Sequence, residues 1–87
     1  MVHSPWDPQT VRIILTKHFA TKYCIRWSWH SHDVREALCN AYKVIQTGNE
    51  KFEVCVNKDG FKKIITVYWR ADDTLICISG SEGTKSL

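Results

Sequence analysis

The 87-residue chain has no Cys-x-x-Cys pair, no Gly-x-Ser-x-Gly, no Walker loop and no His-Glu-x-x-His. Those absences argue against a zinc ribbon, a thioredoxin-like redox centre, a serine-hydrolase elbow, a P-loop and a zincin. No apolar run approaches the length of a membrane span, and no signal-peptide pattern opens the sequence. The expectation is a cytoplasmic protein with no membrane partner. Repeats, linkers and low-complexity segments are absent too, so residues 1–87 read as a single domain, with a folded core over 6–80 and a flexible tail over 81–87. No pair of carboxylates is marked out. Any chemistry must come from basic and aromatic residues, with no cofactor implied.

Acidic residues are also missing between Pro8 and His32, where Arg12, Lys17, Lys22 and Arg26 stand. Lys58, Lys62 and Lys63 form a second basic cluster, diluted by Asp59. The net charge of +3 is weak evidence by itself. This distribution fits either a solvated face or contact with a nucleic acid. The four cysteines, Cys24, Cys39, Cys55 and Cys77, are expected as free thiols.

Asp7-Pro8 has the chemistry of a helix start. Val11, Ile14, Leu15, His18, Phe19 and Lys22 then fall on one helical face, which predicts a first helix ending near Tyr23. Val34, Ala37, Leu38, Ala41, Tyr42 and Ile45 predict a second, capped by Ser31 or by Asp33 with Glu36, and stopped by Thr47-Gly48-Asn49. The period then changes to two. Phe52, Val54 and Val56 mark a strand, Lys62 to Arg70 a central strand, and Thr74 to Ser79 a third. The expected fold is α+β: two N-terminal helices packed on a three-stranded antiparallel meander.

Trp27-Ser28-Trp29-His30-Ser31-His32 admits three readings. Cys24, His30, His32 and Cys39 could ligate a metal, although their spacing matches no common zinc module. Trp27 and Trp29 could stack on unpaired bases, with Arg26 holding phosphate. The plain reading is an extended entry segment whose two indoles close one end of the core.

His18 on the apolar stripe is either a hydrogen-bonded core residue or a proton-transfer group. On the central strand Ile64, Thr66, Tyr68 and Arg70 share one face, and Ile65, Val67 and Trp69 share the face assigned to the helices. Tyr68 with Arg70 could hold a base and a phosphate, or pack across strands with Glu53 as ion partner. The hairpin lysines are then further phosphate contacts or edge protection.

Trp6-Asp7-Pro8, followed after nine residues by His18 of a Lys17-His18 pair, is similar to the opening of the BrnT toxin family. The order of elements over residues 6 to 80, including the link at Ile25 and the late strand Ile76-Cys77-Ile78-Ser79, resembles that family and RelE-like ribonuclease toxins more broadly. Phe19 stands where the family has glycine, and Gly80-Ser81-Glu82-Gly83 replaces the arginine after the last strand, with only Lys85 beyond. The resemblance implies a metal-independent endoribonuclease acting on RNA or the ribosome and restrained by an antitoxin-like protein. His18, Tyr68 and Arg70 would be catalytic, and Arg26, Lys58, Lys62, Lys63, Trp27 and Trp29 would bind nucleic acid. The second hypothesis is a non-catalytic module of the same fold that binds protein or nucleic acid, with homodimerisation a further expectation if the outer sheet face is uncovered.

Overall fold

The structure, a computed structural model, describes residues 4–58 and 60–82. Most of the expected tail, Lys85 included, and Asp59 lie outside the described residues. The elements are β1 (Arg12–Leu15), α1 (Lys17–Phe19), a π-helical stretch (Ala20–Cys24), α2 (Ile25–Trp27), α3 (Ser31–Cys39), β2 (Ala41–Gln46), β3 (Lys51–Lys58), β4 (Phe61–Trp69) and β5 (Thr74–Glu82). The strands form one mixed sheet in the order β1-β5-β4-β3-β2. β1 runs parallel to β5, and every other neighbour is antiparallel. Both helical runs lie on the same side of the sheet, the first against β5 and α3 against β3.

The α+β class matches the expectation, but in place of the expected three-stranded antiparallel meander stands a five-stranded mixed sheet with β4 in its middle. Arg12–Leu15 and Ala41–Gln46, expected within helices, are strands. Asp7-Pro8 opens a turn, not a helix: Asp7 O accepts from Thr10 N and Val11 N, and Asp7 Oδ1 from Gln9 N. Val11 is fully buried beyond that turn, and the β-branched Ile13 and Ile14 enter a strand that pairs with Leu75 and Ile76. The helix starts at Thr16, whose Oγ1 accepts from Phe19 N at 3.1 Å and donates to Cys77 O at 3.1 Å. The second helix stops at Cys39. Asn40 caps it, and Ala41 to Gln46 cross over to pair with Val56 to Phe52. Thr47-Gly48-Asn49 therefore closes a hairpin, with Thr47 N donating to Lys51 O at 2.8 Å.

The core lies between the helices and the inner sheet face. Phe19, Val34, Ala37, Val54, Val56, Ile65, Val67 and Leu75 are buried there. Trp6 is buried as well, its ring edge-on to Phe52 at 5.2 Å and 6.0 Å from Trp69. β5 continues through Gly80 to Glu82, so the chain is ordered into a strand past the expected start of the tail.

Candidate nucleic-acid interface

The helices cover one face of the sheet and leave the other open. Strand register assigns side chains to that open face without ambiguity, because neighbours directly opposite share a face. Lys51 pairs with Tyr68, Glu53 with Thr66, Cys55 with Ile64, and Tyr68 with Ile76. Arg12 and Ile14 join them from β1. Tyr42 enters from a bulge in β2, where Lys62 Nζ stands 5.6 Å from its ring centroid. Three of the four large hydrophobic side chains exposed among the described residues are on this face: Ile14, Tyr42 and Tyr68, at 44%, 41% and 39%.

Cations dominate the same surface. Arg12, Lys43, Lys51 and Lys62 stand on it by register together with the acidic Glu53, and Arg70 follows Tyr68 just past the end of β4. Glu53 does not pair with Arg70, and among the described residues Arg70 forms no ion pair. Tyr68 and Arg70 line one open recess of about 570 Å³ with Glu50, Ala71, Asp72 and Ile76. The second exposed tyrosine, Tyr42, lines another of about 620 Å³ with Asn40, Ala41, Asn57, Gly60 and Lys62. Lys62 and Tyr68 are six residues apart on β4, so the two aromatic stations are separated by roughly 20 Å along the strand direction.

The other candidate residues lie elsewhere. His18 is exposed on the first helical run, on the covered side of the sheet, and is not joined to Tyr68 or Arg70. The π-helical stretch brings Tyr23 beneath it, rings 5.8 Å apart, and Lys22 Nζ is 5.8 Å from the Tyr23 centroid. His18 is therefore not the core residue that the apolar stripe suggests, because the stripe of the expected helix is broken where β1 ends. Arg26 is exposed on α2.

The hairpin lysines do not act as a unit. Lys62 faces outward, but Lys63 points to the helical side, 5.3 Å from the Trp27 ring centroid. Lys58 bridges strand to helix, 3.4 Å from Asp33 Oδ1 and 3.3 Å from Glu36 Oε2, with its side chain 11% exposed. Asp33 also accepts from His30 N at 2.7 Å. That backbone donor is the main cause holding the Asp33 carboxyl below its ordinary value; Lys58 and His32 add to it, against some desolvation.

The tryptophan-histidine string is a helix end and a helix start. It is not extended. Ser28 takes a left-handed conformation (φ 59°), and Trp29 N donates to Cys24 O at 2.8 Å. Trp27 and Trp29 meet at 5.0 Å and pack, half-buried, against the core. His30, not Ser31, is the N-cap of α3. His30 and His32 stack at 5.8 Å, while Cys24 is buried and Cys39 exposed. Among the described residues no three potential ligands are grouped for a metal ion, and no helix is long and apolar enough to cross a membrane.

Burial pushes the Cys77 thiol up to about 12, with Cys24 adding to the shift, and burial also raises Cys24 and Cys55. Glu50 and Asp72 were not legible as site residues, because only the closing of two separate turns brings them to Tyr68. Compared with family models, with curated proteins and with solved structures, the chain matches none.

Proposed function

We propose that this protein is a non-catalytic module that binds single-stranded RNA on its open sheet face. The observation that carries the reading is the pairing of each exposed tyrosine with a cation: Tyr42 with Lys62, and Tyr68 with Arg70 in one recess. Unpaired bases stack on aromatic rings, each worth about 1–3 kcal/mol, and the adjacent cations take the backbone.

Fluorescence anisotropy with a labelled uridine tract of about ten nucleotides tests this, since single-strand site sizes run from roughly 4 to 16. Binding is expected to weaken steeply with salt, and Tyr68→Ala and Tyr42→Ala are each expected to lower affinity at least about fivefold. Equal affinity in all three proteins would overturn the reading.

RNA cleavage is a second reading, favoured by one observation: exposed His18 sits edge-on to Tyr23 with Lys22 beside it. It agrees with the toxin resemblance, and it requires that RNA reach the helical side as well. Chelator-resistant cleavage of an RNA pool that is lost in His18→Ala would support it; an uncut pool would exclude it.

A further inference from the structure

The recess at the β4–β5 turn differs in charge from the rest of the open face. Its floor is Tyr68 beside Ile76, paired in register, and its wall is the turn from Arg70 to Asp73, closed by Asp73 N donating to Arg70 O at 3.0 Å. Glu50 approaches from the neighbouring hairpin, where its carbonyl accepts from Trp69 N at 2.8 Å. Two carboxylates, Glu50 and Asp72, thus share a recess with one guanidinium, and neither is ion-paired with Arg70. Two carboxylates beside one guanidinium weaken the hold of this place on phosphate relative to the lysine-bearing strands. The recess suits the edge of a base that is rich in donors.

We propose that this recess selects guanine, an inference that rests on the RNA-binding reading above. Guanine places N1–H and the N2 amino group side by side, so one carboxylate accepts from both. Uracil has a single ring N–H on that edge, and adenine and cytosine have one amino group each. The opposite edge of guanine carries O6 and N7, the acceptors that an arginine fork matches. Tyr68 supplies the stacking surface, and the roughly 570 Å³ of the recess admits one base with its ribose outside. The carboxylates select; the surrounding lysines supply general affinity.

The test compares three RNAs of equal length: a uridine tract, an adenosine tract, and the uridine tract with one central guanosine. It uses the wild-type chain and the double variant Glu50→Gln, Asp72→Asn. The single guanosine is expected to raise wild-type affinity about tenfold, the scale of one bidentate base contact. In the double variant the guanosine advantage, taken as the ratio to the uridine tract in the same protein, should fall to about twofold or less. A carboxamide presents one donor and one acceptor, so it mismatches two donors. Equal wild-type affinity for all three RNAs would overturn guanine selection and leave the RNA-binding reading intact. Preference for adenosine, or a guanosine advantage surviving in the double variant, would also overturn it. No binding of any RNA would overturn both. Unchanged circular dichroism and thermal midpoint in the double variant show that the fold is kept.

Discussion

Cη2 of Trp27 lies 2.6 Å from the point where a Cβ on Gly80 would stand. The helix end and the last strand meet there with no room for a methyl group, and Phe19 Cε1 closes the other side at 3.4 Å. Gly80 sits on the inner face opposite Ile65, so the missing side chain is what lets the indole lie on the sheet. Gly80→Ala is expected to destabilise by about 1–3 kcal/mol through overpacking. Trp27→Leu in the same chain should recover part of that loss. Equilibrium denaturation measures both, and an unchanged midpoint in Gly80→Ala would contradict this packing.

Trp6 stands outside every regular element, yet it is 5% exposed against Phe52 and Trp69. Trp6→Ala should cost about 3–5 kcal/mol, a large part of the stability of a small domain. Trp6→Phe should cost much less. Urea titration distinguishes them.

The Asp33 carboxyl is held below its ordinary value by the His30 amide, then by Lys58. Its folded pKa is thus lower than its unfolded one. The stability it contributes is full above the unfolded value, about 3.9, and is lost as pH falls through the folded value. Asp33→Asn should flatten the decline in stability below about pH 4. Thermal midpoints of both proteins from neutral to acid pH provide the check, and parallel curves would contradict it.

Cys39 is exposed, whereas Cys24, Cys55 and Cys77 are buried with raised thiol pKa values. Only thiolates alkylate, so native protein treated with iodoacetamide near neutral pH should carry one label, on Cys39. Mass spectrometry reads this directly. Labelling of Cys77 without denaturant would contradict the described core.

The sequence carried the centre of the sheet and missed its edges. In β4 the alternation of Ile65, Val67 and Trp69 with Ile64, Thr66 and Tyr68 has only one meaning, so the open face could be read from parity. Arg12 to Leu15 is too short for period two to be told from a helical stripe, and its partner is remote: Thr16 meets Cys77, sixty-one positions on. Thr16 as a cap was the available signal. Ala41 to Gln46 was concealed because Ala41, Tyr42 and Ile45 continue the spacing of Val34, Ala37 and Leu38. Tyr68 and Arg70 were legible for the same reason as the face. Lys58 and Lys63 were not, since their carboxylate and indole partners depend on where the helices dock.

Amide shift mapping by NMR with the guanosine-containing uridine tract tests the account most directly. The largest shifts are expected on Tyr42, Lys62, Tyr68, Arg70 and Ile76, with Lys17 to Trp27 unmoved. Shifts confined to Lys17, His18, Lys22 and Arg26 would place the RNA on the helical side and contradict the open sheet face as its site.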